Sequence, residues 1–146
     1  MPLMTEPAVR HVVDNDLFFA ALYEGHAGHR SARRWLDAHK PFGWGIAVET
    51  HLAAMRLLMN PAILGTAVLD GARALQVVAT ELRGPHPGRV LFSTELPDPA
   101  IFSRATGHRQ IMDYWLVQVA HAHGARLATR DKALHRHWPD RTVYAG

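Results

Sequence analysis

The chain has 146 residues, enough for one compact domain with a sizeable core and little beyond it. Hydrophobic residues at 48% against 20% charged exclude wholesale disorder, and the absence of cysteine removes disulfide scaffolds, thiolate zinc sites and cysteine nucleophiles together. The formal charge is +3 and rests on arginine, lysine occurring only at Lys40 and Lys132; guanidinium groups grip phosphate and suit a nucleic-acid substrate, although so small an excess is also what a solvated surface carries.

The opening MPLMTEPAVR has no long apolar core after a basic start, so residues 1–10 are expected to form a flexible or partly ordered extension rather than a secretory signal. No apolar run approaches the roughly 18–20 residues that span a bilayer, and a cytoplasmic location is expected. His11-Val12-Val13 predicts a first strand ending at Asp14, and Leu17, Phe18, Ala21 and Leu22 then recur at helical spacing. A second helix runs from Ser31 to His39, with Ala32, Trp35 and Leu36 on one face. Gly45 to Val48 predicts a second strand, and Glu49 to Met59 a helix stopped by Asn60-Pro61. Asp70 to Leu82 is another amphipathic helix. Arg89 to Phe92 predicts a third strand, Ile111 to His123 a long helix capped by Gly124, Arg126 to Thr129 a strand ending at Asp131, and Thr142 to Tyr144 an edge strand. Short apolar runs alternating with helices predict one α/β domain over 1–146 with a mainly parallel sheet.

The acids fall in a pattern on this frame. Asp14 and Asp16 follow the first strand, Glu49 the second, Asp113 opens the long helix and Asp131 follows a later strand. Ligands of open parallel sheets gather outside the carboxyl ends of the strands, so these side chains are expected to meet at one edge. Such a cluster repels itself unless a cation sits in it, and oxygen donors favour Mg²⁺ or Mn²⁺, ions that activate water for phosphodiester hydrolysis. Taken singly, Asp14 and Asp16 read better as helix caps, Asp131 as a turn residue or cap and Asp113 as a complement to its helix N-terminus; only their shared placement points to a site.

Several stretches carry a resemblance. Asp14-Asn15-Asp16-Leu17-Phe18 after a strand resembles the opening of PIN domains. Met55-Arg56-Leu57-Leu58-Met59-Asn60-Pro61 is similar to the LRLLTNP box of a VapC-type toxin subgroup. Thr106 to Leu116 is similar to its TGxQITDAYL segment, and Gly124 to Asp131 to its GARLATFD segment. The resemblance runs from about Val12 to the end, with the boxes in order. It implies a PIN fold, a three-layer α/β/α sandwich, and Mg²⁺- or Mn²⁺-dependent endoribonuclease activity as the toxin of a toxin–antitoxin pair. It also implies a homodimer and a VapB-type antitoxin that anchors the complex on operator DNA. Carried over by position, Asp14, Asp113 and Asp131 would be the metal-binding and catalytic acids; Glu49, at the junction of the second strand and its helix, is a further candidate catalytic acid that the pattern does not itself place.

At the second acidic position the chain departs from the pattern: counting back from Arg56, the family's glutamate or glutamine falls at His51, two residues beyond Glu49. His51 would ligate metal or contact phosphate, and Asp16 would add charge beside the ligand set or cap its helix. That departure also fits a scaffold that binds RNA or a protein partner without turnover. A small hydrolase of phosphorylated metabolites is a more remote reading.

Arg109 and Arg130 adjoin the predicted acids and are the candidate RNA contacts. The eleven histidines include His26 and His29 in a glycine-rich turn and contain no H-E-x-x-H pattern, so a zinc hydrolase is unsupported. Trp35 and Trp115 sit at core-facing helical positions, whereas Trp44 and Trp138 lie where exposure stays open. Leu57, Leu58 and Leu64 form an apolar face that suits either a dimer interface or the core.

Overall fold

The computed structural model describes residues 8–146; the first seven positions of the expected extension lie outside the described residues. Strand β1 (His11–Val13) leads into α1 (Asn15–Leu22) and α2 (His29–His39), then β2 (Trp44–Ala47), α3 (Val48–Leu58), α4 (Pro61–Leu64), α5 (Gly71–Leu82) and β3 (Arg89–Leu91). The second half adds α6 (Pro99–Phe102), α7 (Gln110–Ala122), β4 (Arg126–Thr129), α8 (Lys132–His137) and β5 (Thr142–Tyr144). All five strands are parallel, in the order β3-β2-β1-β4-β5.

Side chains alternate across a strand, and here the alternation divides the core in two. Val13, Ile46 and Ala128 face a cluster with Leu17, Phe18, Leu36 and Val78 from α1, α2 and α5. Their neighbours Val12, Ala47 and Leu127 face a second cluster with Tyr114, Leu116, Val119 and Leu134 from α7 and α8. The result is the three-layer α/β/α sandwich of a PIN-like fold. Both faces of the sheet being covered, its strands read as continuous apolar runs.

Trp44 and Trp138 are both buried, which decides the two tryptophans left open by sequence. Trp35 and Trp115 are partly buried and pack on the two clusters as expected. Leu58 is buried and Leu57 and Leu64 pack against the first cluster, so that apolar face belongs to the core. The part of the expected extension that is described is bound to the sheet: Val9 is buried and the Arg10 N–H donates to the Gly43 carbonyl. The second strand ends at Ala47 rather than Val48, so α3 begins one residue earlier than its sequence suggests. Gly124 at φ 69° reverses the chain after α7, a conformation that L side chains rarely adopt. Among the described residues no single helix is long and apolar enough to cross a membrane.

Candidate active site

The chain leaves β1 toward β2 on one side and returns through β4 on the other, so the order of strands reverses at β1 and β4. In open α/β sheets that reversal opens a crevice at the carboxyl ends of the strands. Asp14 follows β1 and Asp131 follows β4, joined beneath by the Asp14 N–H donating to the Ala128 carbonyl over 3.0 Å. Asp113 arrives from the first turn of α7.

Asp14 is only 5% exposed. Its Oδ1 accepts from the Leu17 N–H at 2.8 Å, making it the N-cap of α1. Burial, reinforced by the charges of Asp16 and Asp113, pushes its pKa up to about 7, against the pull of hydrogen bonds from Thr129 and the Leu17 amide. Asp113 is half-buried and raised to about 6, first by burial and then by the charge of Asp131. Asp131 is exposed and caps α8, its Oδ1 accepting from Ala133 and Leu134. Asp14 and Asp131 thus both cap helices, while like charges act from Asp113 on Asp14 and from Asp131 on Asp113.

Thr129 is a site residue that spacing did not reveal. Its buried hydroxyl accepts from the Asp131 N–H at 3.0 Å and bonds the Asp14 carboxylate, tying two acids through one oxygen. The only local signal was a hydroxyl at the end of an otherwise apolar strand. Gln110 explains part of the Thr106-to-Leu116 segment: its Oε1 accepts from the Thr106 and Gly107 N–H groups and fixes the turn before α7. Arg109, exposed, is the N-cap residue of that helix.

Glu49 lies in the first turn of α3, where its carboxylate accepts from the Trp115 indole N–H. That bond ties α3 to α7 two residues past Asp113. His51 is half-buried on α3, and the charges that shift Asp14 and Asp113 do not include it. Asp16 is exposed and does not cap α1; it pairs with His26 at 3.2 Å and with Arg130 at 3.7 Å. An apolar cavity of roughly 300 Å³ between Lys40, Trp44, His86 and Arg89 opens at the amino ends of β2 and β3, away from the acids.

By donor type the acids fit a hard divalent cation. They offer oxygen alone, and Asp14 and Asp113 carry raised pKa values of the kind a facing cation would reverse. Among the described residues no three His, Asp or Glu side chains are grouped tightly enough to hold an ion as they stand, so binding would draw the carboxylates together.

No protein-family model matches the sequence. Ribonuclease VapC38 of Mycobacterium tuberculosis is 30% identical over 123 residues, covering 82% of this chain and 84% of that protein. The chain belongs to the VapC family. Ribonuclease VapC39 and ribonuclease VapC29 of the same organism are 25% identical over 131 residues and 28% over 123, each match covering 84% of this chain and 86% or more of the relative. The stretches that resemble VapC boxes correspond to working parts of the fold: the end of α3 with the start of α4, the turn into α7, and β4 with its terminal acid.

Proposed function

We propose that this VapC-family protein is a metal-dependent endoribonuclease, the toxin of a toxin–antitoxin pair, acting in the cytoplasm. The observation that supports the reading is the buried Asp14 after β1 under the like charge of Asp113, which in turn feels that of Asp131. Relatives named ribonuclease over most of both chains support the same reaction class.

Asp14, Asp113 and Asp131 would hold Mg²⁺ or Mn²⁺, which when bound supplies an activated water and offsets charge developing on the phosphate. Thr129 links the Asp14 carboxylate to the Asp131 backbone, and an ion entering the crevice would draw the carboxylates together. Trp115 restrains the Glu49 carboxylate at the α3–α7 junction, where it serves as a further acid. Arg109, exposed as the N-cap residue of α7, would reach phosphates of the RNA strand. A VapB-type antitoxin would silence the site and carry the complex to operator DNA, and two copies of the chain would associate as a homodimer.

The test is cleavage of total RNA with Mg²⁺ or Mn²⁺, beside EDTA and Asp14→Asn. Discrete fragments that vanish under both controls are expected, with at least a hundredfold loss for the variant. Full activity in folded Asp14→Asn would overturn the assignment. A second reading, an RNA- or partner-binding scaffold without turnover, is favoured by His51 at the position where the resemblance calls for glutamate or glutamine; it predicts RNA binding without fragments.

A further inference from the structure

The turn after α1 holds a network that this chemistry leaves unused. The Gly28 N–H donates to Nδ1 of His26 over 2.9 Å, which leaves the imidazole proton on Nε2, and Nε2 stands 3.2 Å from Oδ1 of Asp16. The other oxygen of Asp16 is 3.7 Å from Nη1 of Arg130, an ion-pair distance too long for a direct hydrogen bond. Arg130 is only 24% exposed, and its Nε is buried with no hydrogen-bond partner. The guanidinium lies flat against Gly28, where a Cβ would collide with it. The guanidinium is thus held between Asp16 and Gly28, one residue before Asp131 in the chain, with about a quarter of the side chain open to solvent.

We propose that Arg130 is a phosphate-gripping residue of the nuclease site, with Asp16 and His26 as positioning residues that hold its guanidinium over Gly28. The proposal rests on the nuclease reading. It gives Asp16 a role as counter-ion to Arg130 in addition to the charge it places next to Asp14. An RNA phosphate approaching Asp14, Asp113 and Asp131 is repelled by them, and a guanidinium one residue from Asp131 offsets that repulsion with donors matched to nonbridging oxygens.

Two measurements test it on the full chain, both using a short labelled single-stranded RNA: binding in EDTA across a salt series, and cleavage with Mn²⁺. Arg130→Ala is expected to weaken binding about tenfold and flatten the log–log salt slope by about 0.7, the share of one phosphate contact on a single strand. Its kcat/KM should fall about 100-fold while its Mn²⁺ affinity stays at the wild-type value. Arg130→Lys should recover the salt slope and only part of the rate, since a point charge lacks the planar fork. Gly28→Ala, which changes no charge but displaces the guanidinium, should lower the rate in the same direction. Asp16→Asn should cost about tenfold in the wild-type background and nothing further beside Arg130→Ala. An unchanged salt slope in Arg130→Ala, or an equal loss from Asp16→Asn in both backgrounds, would overturn the proposal. Wild-type protein that binds RNA without cutting it would defeat the nuclease reading alone, because the EDTA binding series still decides whether Arg130 grips phosphate.

Discussion

Asp14 caps α1 through Oδ1 while its charge sits desolvated near Asp16 and Asp113. The cap favours folding and the buried charge opposes it. Between the ordinary carboxylate value of 3.8 and about 7, the folded chain keeps a proton at Asp14 that the unfolded chain has released. Stability contributed by this group therefore falls as pH rises through that window, and the full penalty is present above it. Asparagine can still cap the helix but carries no charge. In EDTA at pH 8, Asp14→Asn should melt above wild type by at least a few °C while losing cleavage. Mn²⁺ should then raise the wild-type Tm and leave the variant's unchanged, because only the wild type gains a ligand for the native state. Thermal melts with and without Mn²⁺ check both arms, and a metal-free variant that melts below wild type at pH 8 would contradict the account.

At the scale of elements, β1 and α2 meet through rings. His39 stacks on Trp35 with centroids 4.0 Å apart, and His11 sets its edge against both at 5.3 Å. Burial first, then the charges of His39, Arg10 and Arg126, push the His11 pKa down to about 4. Between 6.5 and about 4 the unfolded chain binds a proton there that the fold refuses, so stability falls as pH drops through that window, by a few kcal/mol at most. His11→Phe keeps an aromatic edge in place and should flatten the acid limb of a Tm-against-pH curve measured in EDTA. An acid limb as steep as wild type would place the sensitivity elsewhere. Elements with strong local signals were legible in the sequence: β1, β4 and β5 stand where their β-branched and apolar runs put them. The start of α3 was not, because Ala47 supplies no side-chain cap and Val48 continues the apolar run of β2 into the helix. Asn60-Pro61 and Asp98-Pro99 each cap and open a short helix, so residues that read as stops are starts as well. The acid positions at strand ends were legible for the same reason as the strands. The links among site residues were not: Trp115 and Glu49 are 66 residues apart, and Thr129 reaches Asp14, and Arg130 Asp16, only once the sheet has formed.

At the scale of the whole molecule, α3 separates what the fold covers from what it leaves open. Thr50, Ala54 and Leu58, four residues apart, face the core, while Val48 and Leu52 on the same helix and Met59 at its C-cap remain exposed, Leu52 at 56%. Ile63 on α4 and Ile111 and Met112 at the start of α7 are exposed as well. The sequence pointed to Leu57, Leu58 and Leu64 as a possible interface, but these pack inward, and the open apolar residues are their neighbours around the helix. The proposed homodimer would use this surface, since a two-fold contact presents the same patch from both copies and an α3 stripe can pair with itself. Leu52→Glu places a charge at its most exposed point without touching the core. Sedimentation equilibrium is expected to show a dimer for wild type and a monomer for Leu52→Glu, with the thermal midpoint of the variant depending less on protein concentration. Because Glu49, one turn before Leu52, is tied to Trp115 beside Asp113, losing the dimer should also weaken RNA cleavage severalfold while leaving Mn²⁺ affinity intact. A Leu52→Glu protein that stays dimeric would move the interface to another face.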